Sequence, residues 1–215
     1  MATLLHLNAS ARRRSISRHV GDAFAESWRG AHPDGTYVER DLAADPVPHI
    51  GEAWTELCDY MLANGITDID RYPEAVRTSD QAAAWSIVEP LLAELVAADV
   101  VLIATPMYNY SIPSALKAWL DQVTFPRISL TGRRLVVATS RGGAYSPGSA
   151  KAEFDYQERY LRDFFAGHFA VRDTTFIAAE LANSRIDPHL AHLRPEHDDL
   201  LAAALRAAHD LGKEY

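Results

Sequence analysis

The sequence predicts an α/β fold in which a parallel sheet is covered by helices on both faces. The first observation is Val100–Ala104, an uninterrupted apolar run typical of a strand that is buried on both sides. The second is Arg134–Thr139, a near-continuous apolar run of the same kind. The third is that helical patterns alternate with such runs along the chain, as they do in parallel β-α units.

Each element follows from its local pattern. The predicted strands are Thr3–Asn8, Thr36–Arg40, Val100–Ala104, Arg134–Thr139 and Thr174–Ala178. The predicted helices are Arg18–Trp28, Glu52–Leu62, Asp80–Ala98 with Ser79 as N-cap, Ser114–Asp121, Phe154–Phe169 and Asp198–Leu211. Pro113 has a fixed φ that suits a helix start, whereas Pro90 predicts a kink or break. Asn64–Thr78 is expected to be irregular, and most aromatic residues of Phe154–Phe169 are expected in the core.

The length, net charge and cysteine content of the chain limit the classes of function that it can have. A chain of 215 residues that is 48% hydrophobic fits a single domain over residues 1–215. The net charge of −8 disfavours nucleic acid as a partner. A lone cysteine, Cys58, excludes an internal disulfide and fits a reducing compartment. We see neither a signal peptide nor an apolar stretch near the roughly 20 residues of a membrane span, so a cytoplasmic protein is expected.

The loop after the first strand has the features of a phosphate site. It carries Ser10, Ser15 and Ser17 just before a helix, whose free N–H groups and dipole favour anions. The dipole contributes only about 0.3–1 kcal/mol, whereas each hydrogen bond to a charged group contributes about 1.5–3 kcal/mol. Several hydroxyls and amides together could therefore hold a phosphate; the alternative is that Ser15 or Ser17 only caps the helix. Neither a Gly-x-Gly-x-x-Gly nor a Gly-Lys-Ser/Thr motif is present.

Two further loops follow predicted central strands, where open α/β sheets bind ligands. Thr105–Pro113 combines two prolines with Tyr108, Asn109 and Tyr110, which indicates a stiff wall for a flat ligand such as a flavin ring. Ser140–Gly148 contains paired glycines, which let the backbone approach a ligand closely and expose its N–H donors. An ordinary glycine turn is the alternative for this loop.

Together the three loops resemble the FMN sites of the FMN-dependent NADH azoreductase and quinone reductase family. The resembling residues are Ser10, Ser15, Ile16 and Ser17, then Pro106, Met107, Tyr108, Asn109, Tyr110, Ser111, Ile112 and Pro113, then Ser140, Arg141, Gly142 and Gly143. Asp41-Leu42, Leu116-Lys117 and Gln157 extend the resemblance, which covers essentially the whole chain. It implies a flavodoxin-like three-layer sandwich, with a five-stranded parallel sheet in the order 2-1-3-4-5 and helices on both faces.

The resemblance also implies an activity and a set of roles. A homodimer would use NADH or NADPH and FMN in a two-electron ping-pong cycle that reduces quinones and aromatic azo compounds. Ser10 and Ser15–Ser17 would hold the FMN phosphate. Pro106–Tyr110 would flank the ring, with N–H groups near Asn109 and Tyr110 pairing with its N5 and O4 side. Ser140–Gly143 would line the pyrimidine end of the ring. No residue is expected to be catalytic in the strict sense. Tyr108 and Tyr145 are candidates for stacking on the acceptor, with a core or capping role as the alternative.

Some features stay open. Gln122–Thr131 is shorter than in many family members, which leaves the substrate range undecided. Arg12–Arg14 could reach a phosphate, although a solvated loop is favoured. His189, His192 and His197 share no helix face, so we expect solvated surface and no metal site. Two rival functions remain: a flavodoxin-like carrier of single electrons, or a flavoprotein recruited as a regulator or to a specialised biosynthetic acceptor.

Overall fold

The computed structural model describes residues 1–215, and a five-stranded sheet forms its centre. The strands are β1 (Thr3–Asn8), β2 (Thr36–Asp41), β3 (Val100–Pro106), β4 (Arg134–Ser140) and β5 (Asp173–Ala179). They lie in the order β2-β1-β3-β4-β5, and every neighbouring pair is parallel. The predicted flavodoxin-like sheet order is therefore confirmed.

Six α-helices cover the two faces of the sheet. They are α1 (Ile16–Ala31), α2 (Glu52–Ala63), α3 (Ser79–Ala97), α4 (Ser114–Val123), α5 (Tyr156–His168) and α6 (Arg194–Glu214). Helices α1 and α6 pack on one face, and α2, α3, α4 and α5 supply the apolar side chains on the other. None of the helices combines the length and apolar character that crossing a membrane requires.

The apolar strands alternate between two cores. Val101 and Ile103 of β3 face the core formed with α2 to α5, whereas Val100 and Leu102 face the core formed with α1 and α6. All seven residues of β3 are buried. This two-sided burial explains why the sequence of β3 is apolar without alternation.

The register of the sheet aligns the carboxyl ends of its strands. Asn8 pairs with both Asp41 and Ala104, and Pro106 pairs with Ser140. The loops that follow β1, β3 and β4 therefore leave the sheet at one edge. This alignment brings together three loops that are distant along the chain.

The predictions about α3 were partly wrong. The side chain that caps α3 belongs to Thr78, whose hydroxyl accepts from the Gln81 amide at 3.2 Å, and Ser79 is the first helical residue. Helix α3 continues through Pro90 without a break. The predicted start of α4 at Ser114 is confirmed, with Pro113 as the N-cap.

The segment Asn64–Thr78 is more ordered than predicted. Ile69–Ala75 forms a 3₁₀-helix, whose N-cap Asp68 accepts from the Asp70 amide. Tyr72 within it is fully buried, and its ring lies 5.3 Å from that of Phe125. The apolar side chains, rather than local propensity, fix this segment.

The aromatic residues near the start of α5 are not all in the core. Phe165 is fully buried, but Phe154 and Tyr156 are about half exposed. Phe154 belongs to a separate 3₁₀ turn, Ala152–Phe154, which precedes α5. Both lie beside the loop after β3, where the Tyr156 amide donates to the Tyr110 carbonyl oxygen at 3.2 Å and the Phe154 ring lies 5.6 Å from the Tyr110 ring.

The contact between α1 and α6 requires a glycine in α6. A Cβ at Gly212 would lie 2.5 Å from the Phe24 carbonyl oxygen, which cannot move without disturbing α1. We expect Gly212→Ala to lower the free energy of unfolding by about 1–3 kcal/mol. The matched control is Gly30→Ala in α1, where a Cβ meets nothing within 4 Å. This variant should raise the free energy of unfolding by about 0.5–1 kcal/mol. Urea unfolding measures both; equal effects would contradict the close packing.

Candidate functional site

A cavity of about 1110 Å³ opens at the carboxyl ends of β1, β3 and β4. Its lining contains every residue that the sequence predicted to bind the cofactor except Ser17. These lining residues are Ser10, Ser15, Ile16, Pro106, Met107, Tyr108, Asn109, Tyr110, Ser140, Arg141, Gly142 and Gly143. The stacking candidate Tyr145 also lines this cavity. Residues from three distant segments are thus brought to one site.

Hydroxyl groups and free amides meet at the start of α1. Ser15 is the N-cap, but its side chain accepts no hydrogen bond from the helix backbone. Its Oγ instead lies 2.8 Å from the Oγ of Ser17, which is fully buried behind it. The amides of Ile16, Ser17 and Arg18 donate to no other group of the chain. An uncapped helix start with buried hydroxyls is suited to an anion.

Arg18 fixes the loop that carries Ser10, a role that no sequence motif indicated. Its Nη2 donates to the Ser10 carbonyl oxygen at 2.8 Å and to Oδ1 of Asp41 at 2.7 Å. Burial alone would raise the pKa of Asp41, but bonds from Arg18, Ala44 and Ala43 together lower it. The carboxylate therefore stays charged and holds Arg18 between β1 and β2. The i+8 spacing from Ser10 gave no signal in the sequence.

The loop after β3 contains a tight two-residue turn. Tyr108 and Ser111 exchange two backbone hydrogen bonds of 3.0 Å, and Asn109 and Tyr110 between them have φ of 50° and 69°. Positive φ at both central positions is the type I′ conformation, which Asn tolerates and Tyr does not favour. The amides of Asn109 and Tyr110 donate to no other group of the chain. The turn thus presents two free N–H donors.

Gln157 of α5 holds the ends of β3 and β4 together. Its Nε2 donates to the Pro106 carbonyl oxygen at 2.9 Å, and its Oε1 accepts from the Thr139 hydroxyl at 2.7 Å. Gln157 and Thr139 are both fully buried. Leaving a buried amide without its partner lowers the free energy of unfolding by about 1–3 kcal/mol. This bridge therefore fixes the position at which the tight turn begins.

The glycine loop after β4 also exposes amides. The carbonyl oxygens of Gly142 and Gly143 accept from the amides of Asn183 and Leu181 at 3.1 Å, but their own amides have no acceptor in the chain. A Cβ at Gly142 would lie 2.7 Å from the Asn183 side chain. A side chain at position 142 would therefore displace that of Asn183, so the glycine allows the loop to pack closely on it. Asn183 lies in the 3₁₀-helix Ala182–Arg185 and was missed by the sequence analysis.

The side chain of Arg141 is committed to three carboxylates. Its guanidinium lies 2.8 Å from Asp155, 3.3 Å from Glu158 and 3.3 Å from Glu180, and the side chain is 3% exposed. Glu180 is equally buried and accepts from the amide of Tyr145 at 3.0 Å. This network fixes the glycine loop from below, so the charge of Arg141 is largely compensated within the protein.

Aromatic rings surround the mouth of the cavity. The ring of Tyr110 lies 5.6 Å from that of Phe154 and 6.3 Å from that of Tyr145. Burial raises the pKa of Tyr145 above its ordinary value. Tyr108 lines this cavity and a neighbouring one of about 560 Å³, which Tyr160 also lines. The turn after β3 thus separates two concave spaces.

The basic and histidine-rich segments differ in placement. Arg12–Arg14 are exposed, as favoured from the sequence, and they also line the large cavity. His189 and His192 are exposed as predicted, but His197 is fully buried, and its Nδ1 lies 2.6 Å from the Glu180 carbonyl oxygen. The expected solvated position of His197 was therefore wrong. No group of three or more His, Cys, Asp or Glu side chains is placed to hold a metal ion.

The arrangement suits a long ligand with an anionic end and a flat polar end. Hydroxyls and helix amides lie at one part of the cavity, and two pairs of free amides beside aromatic rings lie at another. A family model described as "Flavodoxin-like fold" matches residues 2–203.

Relatives with assigned activities match along the whole chain. An "FMN-dependent NADH:quinone oxidoreductase" of Nocardia farcinica (strain IFM 10152) is 70% identical over 215 residues, which cover 100% of both chains. A protein of the same name from Parafrankia sp. (strain EAN1pec) is 39% identical over 220 residues, with 98% of each chain covered.

Solved structures share the fold at lower identity. An azoreductase from Bacillus anthracis str. Sterne superposes with a TM-score of 0.77 at 22% identity, covering 100% of both chains. An FMN-dependent NADH-azoreductase in complex with FMN, from Bacillus anthracis str. Ames Ancestor, has a TM-score of 0.71 at 23% identity and covers 96% of this chain and 99% of its own. These two likenesses establish the fold alone.

The positive φ at Asn109 gives a prediction about stability. Asn109→Val places a β-branched residue at φ 50° and should lower the free energy of unfolding by about 1–3 kcal/mol. Asn109→Gly tolerates this φ and should change it by less than about 1 kcal/mol. Urea unfolding of both variants measures the difference. Equal losses would show that the side chain, rather than the turn conformation, matters here.

The buried network gives a second prediction. Glu180→Gln removes a charge that faces Arg141 and weakens the bond to the Tyr145 amide. We expect a loss of about 1–3 kcal/mol in unfolding free energy and faster hydrogen exchange at the Tyr145 amide. The matched control is Glu153→Gln, because Glu153 is exposed and forms no ion pair. Unchanged exchange at Tyr145 in Glu180→Gln would rule out the proposed support.

Proposed function

Because the chain belongs to the FMN-dependent NADH:quinone oxidoreductase family with a flavodoxin-like fold, we propose that it oxidises NADH and reduces quinones with FMN bound in the large cavity. The observation that carries the proposal is the cavity itself. It combines an uncapped, hydroxyl-lined helix start with two loops whose amides have no acceptor in the chain. These are the donors that a phosphate and a flat polar ring need.

The phosphate end of FMN is assigned to the start of α1. Ser10 and Ser15 line the cavity, and the amides of Ile16 and Ser17 are free beside them. Ser17 is buried and orients Ser15 through their 2.8 Å contact, so its role is indirect. Hydroxyl and amide bonds to a charged phosphate contribute about 1.5–3 kcal/mol each. Four such donors therefore suffice without any help from arginine.

The ring end is assigned to the loops after β3 and β4. Pro106 and Met107 form one wall, and the free amides of Asn109 and Tyr110 are donors for the N5 and O4 side of the ring. The free amides of Gly142 and Gly143 are donors for its pyrimidine end, as in sites that stabilise negative charge with backbone N–H groups. Ser140 and the backbone of Arg141 complete this side.

When bound, FMN would supply two-electron hydride chemistry, by which NADH would leave as NAD⁺ and a quinone, with one proton from water, as the hydroquinone. The residues of the chain position the ring and its partners, and none acts as a general acid or base. We propose a ping-pong order, because the mouth of the cavity would serve NADH and the quinone in turn. Aromatic azo compounds are proposed as further acceptors because they too are flat.

The acceptor is assigned to the aromatic mouth. Tyr108 and Tyr145 are the candidates for stacking, and Tyr110 extends the same surface. We further propose that residues 1–215 act as one FMN-binding domain and that two chains pair with their sites at the interface. The exposed rings of Tyr110, Phe154 and Tyr156 beside the cavity are consistent with such a dimer. A cytoplasmic location stays a prediction.

The phosphate assignment gives a test that separates FMN from riboflavin. We expect Ser15→Ala to weaken FMN binding by about 10- to 100-fold, because it removes one bond to a charged group. Riboflavin lacks the phosphate, so its binding should stay unchanged. Fluorescence titration of the apoprotein with each flavin measures both. Steady-state NADH oxidation with menadione then tests the activity, and negligible turnover would favour an electron carrier instead.

Ser86→Ala is the matched control for this titration. Ser86 lies on the exposed side of α3, and its hydroxyl only donates to the Ala83 carbonyl oxygen. It should bind both flavins as the unaltered protein does. An equal loss of FMN and riboflavin affinity in Ser15→Ala would place the phosphate elsewhere.

A further inference from the structure

The charges around the large cavity are strongly unequal. Seven Lys and Arg residues line it, against a single carboxylate, Asp22. Two of the seven, Arg18 and Arg141, are held in ion pairs with carboxylates inside the protein. The other five form no ion pair and are exposed; we call them the cationic collar: Arg12, Arg13, Arg14, Lys151 and Arg185.

The collar stands out because the chain is acidic overall. Its net charge is −8, and many of its other basic side chains pair with a neighbouring carboxylate, as Arg40 does with Glu94 and Arg134 with Asp173. Five unpaired cations around one opening repel each other and create a positive potential there. Such a grouping favours a ligand that carries several negative charges.

The collar comes from three separate segments that surround the opening. Arg12–Arg14 precede α1, Lys151 follows the glycine loop, and Arg185 ends the 3₁₀-helix that packs on Gly142. The Lys151 ammonium lies so near the glycine loop that a Cβ at Gly143 would be 3.5 Å from Nζ. Positive charge is therefore present on both sides of the cavity mouth.

One flavin phosphate does not require this much charge. A phosphate monoester carries about −1.5 to −2 at neutral pH, and the buried hydroxyls and free amides at the start of α1 are already assigned to it. The collar is exposed at the rim, where an incoming ligand meets it first. A dinucleotide carries a pyrophosphate, and its 2′-phosphorylated form carries a third phosphate that arginine side chains typically accommodate.

We propose that the cationic collar binds the phosphates of the nicotinamide dinucleotide donor, and that the protein therefore uses NADPH at least as efficiently as NADH. Arginine suits this role because its planar guanidinium binds phosphate oxygens in pairs, and three consecutive arginines offer several such contacts. This inference rests on the proposed function, since it names the donor of the same reaction.

The kinetic test compares the two donors in the FMN-loaded protein. Anaerobic stopped-flow reduction by NADH and by NADPH gives a rate for each, with FMN saturating. We expect the second-order rate constant of flavin reduction by NADPH to equal or exceed that by NADH. In the triple variant Arg12→Gln/Arg13→Gln/Arg14→Gln, this rate constant should fall by about tenfold or more for NADPH. It should fall less for NADH, because NADH lacks the third phosphate.

The matched control removes the same charge elsewhere. Arg172, Arg206 and Lys213 are exposed, form no ion pair and lie outside the cavity. The triple variant Arg172→Gln/Arg206→Gln/Lys213→Gln should keep the NADPH to NADH ratio of the unaltered protein. An equal change of this ratio in the control would show that the effect arises from net charge alone, and it would refute the proposed role of the collar.

A binding measurement avoids any dependence on turnover. Adenosine 2′,5′-bisphosphate carries the distinguishing phosphate without the nicotinamide, and calorimetry of the FMN-loaded, oxidised protein measures its affinity. We expect binding that weakens about tenfold or more in the Arg12–Arg14 variant and falls steeply with salt. Undetectable binding, or equal binding by the variant, would refute the proposal.

The outcomes separate this inference from the proposed function. Failure to bind FMN or to oxidise either donor would refute the function, and the inference with it. Full activity with NADH but tenfold slower reduction by NADPH would refute the inference alone. If the Arg12–Arg14 variant loses FMN affinity while its donor rates at saturating FMN stay unchanged, the arginines belong to the flavin phosphate and the inference is wrong.

Discussion

The site depends on the parallel register of the sheet. In a parallel sheet the carboxyl ends of all strands lie at the same edge. Here β3 and β4 end level, with Pro106 beside Ser140, and β1 ends nearby, with Asn8 beside Ala104. Three loops that are distant along the chain, from Ser10 in the first to Gly143 in the last, therefore share one cavity. A shift of register by one residue would move the donors of each loop and exchange side chains between the two buried faces of the sheet.

The loops that form the cavity leave their own backbone donors free, and buried side chains hold them in that state. Gln157 bridges the ends of β3 and β4, Arg18 ties the serine loop to β2, and Glu180 supports the glycine loop. Each supporting group is buried or partly buried, so its hydrogen bonds are stronger than they would be in water. The conformation of Tyr110, with φ of 69°, costs free energy that this surrounding structure offsets.

The sequence by itself determined the fold class and most of the cavity lining. Uninterrupted apolar strands such as Val100–Ala104 predict two-sided burial, because a strand without polar alternation has no face suited to water. Ligand loops follow the carboxyl ends of parallel strands, so the sequence assigns Ser10, Asn109 and Gly142 to one site, and all three line the same cavity. The sequence indicates these features because the burial of a strand and the stiffness of a loop depend mainly on residues that are adjacent along the chain.

Only the tertiary structure decided which groups support the site. The contacts of Arg18 with Asp41, of Asn183 with Gly142 and of His197 with Glu180 join residues that no periodic pattern relates. The cap at Thr78 rather than Ser79, and the order of Ile69–Ala75, likewise depend on packing that local propensity does not encode. Long-range contacts are set by how the helices pack on the sheet, and that geometry exists only once the chain is folded.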